Sequence, residues 1–178
     1  MKITIFGGAA TQPGEPAYKD AYRLGYLLGQ KGHTILTGGY MGAMEAASRG
    51  AAEGGGHVIG VTCDEIEAYR PCQPNPWVKE ERRFTTLRAR LYALIDGCDA
   101  AIALPGGVGT LSEIAAMWNE LIISTNNDQR KMVLIGAGWH ETMNGFISAQ
   151  GDFIPQSCRD KLLYASSVED AVQKITVQ

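Results

Sequence analysis

The chain has 178 residues, of which 45% are apolar and 20% charged, with a formal net charge of −3. That length and balance fit one globular nucleotide-binding domain over residues 1–178, large enough for a sizeable core. They exclude a broad polyanion-binding surface, so no nucleic acid partner is expected and any phosphate site must be local.

Strand and helix patterns alternate along the chain. Residues 3–6 read as a buried strand that ends at Gly7-Gly8. Residues 17–30 read as a helix with Ala17, Ala21, Leu24 and Leu28 on its apolar side, stopped by Gly32. A second strand at 33–37 opens into Gly38-Gly39. From Gly42 a small-residue helix runs to about residue 53, and its alanines (Ala43, Ala46, Ala47 and Ala51) suit close packing on a sheet. Gly54-Gly55-Gly56 breaks it before a third strand at 57–61. Between 62 and 82 the pattern fails, and Pro71, Pro74, Asn75 and Pro76 predict a loop of about 20 residues, a length usually tied to function or mobility.

Thr85 or Thr86 then caps a helix to about Gly97. Leu87, Leu91, Leu94 and Ile95 form its core stripe, with Arg88 and Arg90 on opposite edges. Residues 100–104 are an apolar strand that leads into Pro105-Gly106-Gly107-Val108-Gly109-Thr110-Leu111-Ser112-Glu113. The helix after this turn carries Leu111, Ile114, Ala115, Trp118, Leu121 and Ile122 on one stripe, which makes Trp118 a core residue. Asn126-Asn127-Asp128 reads as a polar turn, 131–136 as a strand and 139–149 as a helix. A short strand at 162–165 and a helix at 168–175, capped by Ser166 or Ser167, close the pattern.

Such repeated units predict a Rossmann-like α/β fold, a doubly wound and mostly parallel sheet with helices on both faces. Ligands in these sheets sit beyond the carboxyl ends of the strands, at a switch point. Three glycine turns should meet on that edge: Gly7-Gly8, Gly38-Gly39 and Gly106-Gly107. The glycines could serve only tight strand-to-helix turns. The third turn asks for more, because it joins a strand to a helix N-terminus, where amides point at an anion and glycine lets the backbone approach it. Gly106, Gly107, Val108, Gly109 and Thr110 would hold the phosphate, with Thr110 capping the helix or donating to a phosphate oxygen. It is neither a GxxxxGK[ST] loop nor a GxGxxG fingerprint, since Ser112 stands in the third glycine position.

The stretch from Pro105 to Glu113 resembles the PGGxGTxxE signature of the Lonely Guy family of cytokinin-activating phosphoribohydrolases, often labelled lysine decarboxylases. The resemblance extends to Gly38-Gly39, Gly42 and Met44 and to the element order over nearly the whole chain. It implies a homodimeric Rossmann-like hydrolase that cleaves the N-glycosidic bond of nucleoside 5′-monophosphates to free base and ribose 5-phosphate. The family's upstream MxxRK pattern falls on Leu87, Arg90 and Leu91, so leucine replaces the lysine. The resemblance makes Arg90 and Glu113 the catalytic pair, with Arg88 as a partial substitute for the missing lysine.

The residues themselves are consistent with those roles. A carboxylate at Glu113, one turn from the phosphate cradle, could stabilise an oxocarbenium-like centre or orient water. The helix dipole alone could also account for a glutamate there. Arg90 cannot be a general acid, but it can hold substrate and offset charge on the departing base.

Decarboxylation through a cofactor-bearing lysine is excluded, because neither glycine motif contains lysine, and no cofactor is expected. His33 and His57 read as structural and His140 as surface, and no metal-ligand spacing is present. Cys63, Cys72, Cys98 and Cys158 form no CxxC pair and read as free thiols in a reducing compartment. The apolar run before Gly7 is no signal peptide and no stretch nears the ~20 residues of a membrane span, so a cytoplasmic protein without a membrane partner is expected. Tyr92 and Ile123 lie off their core stripes and suggest a homodimer face. The rival reading is a nucleotide or molybdenum-cofactor carrier of the same fold. Leu91 favours that rival, and Glu113 favours the enzyme.

Overall fold

The structure, a computed structural model, describes residues 1–124 and 129–176, so the polar turn expected at 126–128 lies outside the described residues. Its strands are β1 (Lys2–Phe6), β2 (Thr34–Thr37), β3 (Val58–Cys63), β4 (Glu80–Phe84), β5 (Ala100–Ala103), β6 (Lys131–Ile135) and β7 (Leu162–Ala165). All pair in parallel in the order β4-β3-β2-β1-β5-β6-β7. The chain therefore winds outward from β1 through β4, then returns to the centre and winds the other way from β5. The switch point falls between β1 and β5, as the doubly wound reading requires.

The helices are α1 (Pro16–Gln30), α2 (Ala43–Glu53), α3 (Asp64–Tyr69), α4 (Leu87–Asp96), α5 (Val108–Ile123), α6 (Ala137–Gln150), α7 (Gln156–Arg159) and α8 (Val168–Thr176). Alternate residues of each central strand feed opposite cores. Ile3, Ile5, Ile35, Val58, Ile102 and Val133 pack against α1, α2 and α8. Phe6, Leu36, Ile59, Val61, Ala101 and Leu134 pack against α4, α5 and α6. Strands covered on both faces read as continuous apolar runs, which is why these strands were visible in the sequence. Ala43, Ala46, Ala47 and Ala51 are all buried in the α1 and α2 layer. Thr86 caps α4 by accepting the Ala89 N–H at 3.2 Å, and Ser167 caps α8 by accepting that of Asp170 at 3.1 Å.

The expected loop from 62 to 82 is cut down to residues 70–79, which hold Pro71, Pro74 and Pro76. β3 continues to Cys63, α3 follows at once, and the segment ends in the edge strand β4. Four of the five β4 residues are charged, so no apolar period announces it. It is held by its ladder to β3 and by a cross-strand side-chain bond, Thr62 Oγ1 to Glu81 at 2.6 Å. Charges of this kind also protect an edge from pairing with another chain.

Two core stripes need correction as well. On α4, Leu87 is 51% exposed, and the buried positions are Arg90, Leu94 and Ile95. On α5, Leu111, Ala115 and Ile122 face outward, and Met117 takes their place in the core beside Ile114, Trp118 and Leu121. Half of each expected stripe is kept (Leu94 and Ile95; Ile114, Trp118 and Leu121), so the buried face is turned by only part of a residue's roughly 100° step. Among the described residues no helix is long and apolar enough to cross a membrane.

Candidate active site

The three glycine turns leave the carboxyl ends of β1, β2 and β5, and backbone bonds join them. Gly8 N–H donates to the Pro105 carbonyl at 3.1 Å. The Gly8 carbonyl accepts the Ala43 N–H at 3.0 Å and the Thr11 hydroxyl at 3.3 Å. The first turn is thus wedged between the start of α2 and the turn before α5. Gly42, the N-cap of α2, needs glycine twice over: its φ is +72°, and a β-carbon there would lie 2.6 Å from the Gly8 carbonyl oxygen.

Gly107, not Thr110, is the N-cap of α5. Thr110 is buried inside the first turn and fills the space behind Gly106, so a β-carbon on Gly106 would overlap its side chain. Gly107 and Gly109 have open space where a β-carbon would stand, and neither has positive φ. Val108 turns its side chain to solvent, 82% exposed, and can contribute only its backbone to a ligand. The N–H groups of Val108, Gly109 and Thr110 have no intrahelical acceptor, so an anion in the open space before Gly107 would meet several donors and the positive end of the helix dipole. The Trp139 indole N–H fixes the carbonyl of Leu104, just before Pro105, at 2.9 Å.

Arg90 lies at the carboxyl ends of β2 and β3, only 6% exposed. Its Nε donates to the Val61 carbonyl at 2.7 Å, and Nη2 donates to the Gly38 carbonyl at 3.1 Å and touches Met44 Sδ at 3.9 Å. Gly38 must be glycine because a side chain would overlap the guanidinium. Among the described residues Nη1 has no hydrogen-bond acceptor. Burial lowers the guanidinium pKa and the Glu113 charge opposes that shift. Arg90 remains a cation all the same, since guanidinium does not deprotonate in proteins. Glu113 answers from α5, half-buried, one turn beyond Thr110. Burial pushes its carboxyl up to about 7 against the opposing pull of Arg90. No salt bridge joins the two among the described residues, and each acts on the other through its field.

The structure therefore brings Arg90 and Glu113 to the edge where the glycine turns meet. Arg88 is exposed in the first turn of α4. Leu91, in the place of the family lysine, packs on the core of the α4, α5 and α6 layer. Asn75 was missed as a site residue. Its Nδ2 donates to the carbonyls of Gly39 at 3.0 Å and Tyr40 at 2.9 Å, and its own N–H also donates to Gly39 at 2.8 Å. An asparagine between prolines reads as a turn residue, and only the folded chain shows it latching the second glycine turn.

The fold and this meeting of helix N-termini with an arginine and a glutamate define a Rossmann-like α/β protein whose candidate site lies at its switch point. The family model of the SLOG cluster4 family matches residues 1–136, and the chain belongs to that family. A relative in Escherichia coli K12, a pyrimidine/purine nucleotide 5′-monophosphate nucleosidase, is 35% identical over 71% of this chain, which spans 29% of that longer protein. A cytokinin riboside 5′-monophosphate phosphoribohydrolase of Mycobacterium marinum is 28% identical over 96% of this chain and 91% of its own length. Among solved structures, the molybdenum cofactor binding protein of Rippkaea orientalis superposes with a TM-score of 0.75 at 26% identity, covering 98% of this chain and 94% of that one.

Proposed function

We propose that the protein is a nucleoside 5′-monophosphate phosphoribohydrolase. It adds water across the N-glycosidic bond of AMP or a cytokinin-type monophosphate and releases free base and ribose 5-phosphate. The observation that carries this reading is Glu113: a half-buried carboxyl raised to about 7, in the field of a buried arginine, one helical turn past the free amides of α5. In this reading the 5′-phosphate docks on the backbone from Gly106 to Thr110, bordered by Gly7, Gly8, Gly38 and Gly39. The ribose then lies over α5 toward Glu113. As a carboxylate, Glu113 stabilises the positive charge that develops at C1′ and orients the attacking water. Arg90, through its free Nη1, offsets charge on the departing base.

Several further features go with this reading. Residues 1–178 act as one nucleotide-binding unit in the cytoplasm. The net charge of −3 argues against a nucleic acid partner. The protein is a homodimer. Ile123 is 66% exposed, and Leu111, Ile122 and Phe146 border an apolar groove of about 470 Å³ between α5 and α6. A second copy would cover this face.

The carrier reading has two observations in its favour: Leu91 packs on the core where the resemblance implies a lysine, and the Rippkaea molybdenum cofactor binding protein shares the fold. Incubation with a panel of nucleoside 5′-monophosphates separates the two. The enzyme releases free base and ribose 5-phosphate in equal amounts. Tight binding without any free base would establish a carrier instead.

A further inference from the structure

Two hydrogen bonds fix one edge of the Arg90 guanidinium, at Val61 and Gly38. Its flat face needs a separate support, and Tyr40 is placed to give it. Tyr40 follows Gly38-Gly39 in the second glycine turn and is fully buried. The Arg90 Cζ lies 5.8 Å from the centre of its ring, within the range of a cation–π contact.

The ring is itself tied down at its far end. The Tyr40 hydroxyl accepts the Cys63 N–H at 2.7 Å and faces two acceptors, Glu67 Oε1 at 3.1 Å and the Cys63 carbonyl at 3.2 Å. Burial raises the phenol to about 12, so it stays a donor. Glu67 is gripped in turn by Arg83 of β4, whose Nη1 and Nη2 donate at 3.0 and 2.6 Å and whose Nε reaches Asp64 at 2.7 Å. A phenylalanine would fill the same space with none of these ties. The phenol joins α3 and β4 to the ring that lies against Arg90.

We infer that Tyr40 is a positioning residue for the reaction: its ring is the platform that holds the Arg90 guanidinium in plane. The inference rests on the proposed role of Arg90 in hydrolysis, and its test has a readout that does not. Adenine release from AMP gives kcat and KM for wild type, Tyr40→Phe and Tyr40→Met. The Arg90 Nε–H proton resonance reports the guanidinium directly.

Tyr40→Phe keeps the ring and should hold kcat within about threefold of wild type. Tyr40→Met fills the volume without a π face, and it should lower kcat by about 10- to 100-fold with little change in KM, the size expected for a displaced catalytic group. The Nε–H signal should be slow to exchange in wild type and Tyr40→Phe, and shifted and broadened in Tyr40→Met. Tyr40→Leu serves as the non-aromatic variant if Tyr40→Met does not fold. Equal losses in the Phe and Met variants, or an Arg90 signal indifferent to the ring, would overturn the inference. So would a wild-type Nε–H that exchanges at once, whichever variants fold. If wild type releases no adenine, the hydrolase reading fails, and the resonance arm still decides whether Tyr40 positions Arg90.

Discussion

Gly8 donates its N–H to the carbonyl of Pro105 at 3.1 Å, and this bond joins the turn after β1 to the turn after β5. These strands are neighbours at the switch point, so the bond lies across the mouth of the crevice where a doubly wound sheet binds its ligand. The same carbonyl–amide chain runs on from Gly8 to Ala43, which fixes the start of α2 beside the start of α5. Small changes in either turn must therefore be felt at both helix N-termini.

The glycines of the third turn should separate by role. A methyl group on Gly106 overlaps Thr110 and comes within 3.0 Å of the Gly8 N–H, so Gly106→Ala should cost about 1–3 kcal/mol of stability and abolish AMP binding. Gly107→Val meets open space and its φ is −98°, so the fold should survive unchanged. Its side chain would still occupy the approach to the α5 amides, and AMP binding should fall. Thermal melting beside calorimetric titration checks both. A destabilised Gly107→Val with intact binding would reverse the assignment.

Arg90 and Arg88 should differ sharply. Arg90→Ala leaves the carbonyls of Val61 and Gly38 without their donors, at about 1–3 kcal/mol for each buried acceptor that stays unpaired. It should also remove at least about a hundredfold in turnover, the scale of one lost charge-stabilising group. Arg88→Ala changes an exposed residue and should stay within about 0.5 kcal/mol of wild-type stability, with near-normal turnover. Denaturant melts and initial rates on the two variants would show it, and an inactive Arg88→Ala would place the wrong arginine in the site.

Glu113 makes a prediction about pH. Its carboxyl titrates at 4.5 when free and at about 7 in the folded chain. Between those values the folded protein binds the extra proton, so the raised pKa makes stability fall as pH rises from 4.5 toward 7. Glu113→Gln should therefore be more stable than wild type at about pH 8, by an order of 1–3 kcal/mol, and equal to it near pH 4. The working form is the carboxylate, so wild-type kcat/KM should climb with pH through an inflection near 7, and Glu113→Gln should be nearly inactive throughout. A stability gain that is greatest in acid would contradict the burial that sets this pKa.

The apolar face of α5 tests assembly. Ile123→Glu places a charge on a residue that is 66% exposed and outside the core. Light scattering should report a dimer for wild type and a monomer for Ile123→Glu, with the monomer folded by circular dichroism. A wild-type monomer at micromolar concentration would remove the dimer from the account.

The central strands and the helices between them were legible because each is covered on both faces or on one stripe, and burial writes a period into the sequence. The glycine turns were legible because helix-start turns at strand ends restrict residue choice. What escaped notice has no apolar signature. β4 spells Glu80-Glu81-Arg82-Arg83-Phe84 and exists through its ladder to β3. The depth of Arg90 was hidden because a charged residue is expected at a stripe's edge, whereas here carbonyls of β3 and the second turn receive its donors inside the fold. Asn75 and Tyr40 act across 35 residues of chain or through a ring contact, and neither relation leaves a pattern in neighbouring positions.

The most direct test of the phosphoribohydrolase account is adenine release from AMP and from adenosine, measured side by side as kcat/KM. In this account a 5′-phosphate docked at the start of α5 would gain two or three charge-assisted hydrogen bonds worth roughly 1.5–3 kcal/mol each. AMP should therefore be hydrolysed at least about a hundredfold more efficiently than adenosine, with ribose 5-phosphate formed in equal amount. Equal rates for the two, or no free adenine from AMP, would contradict the account.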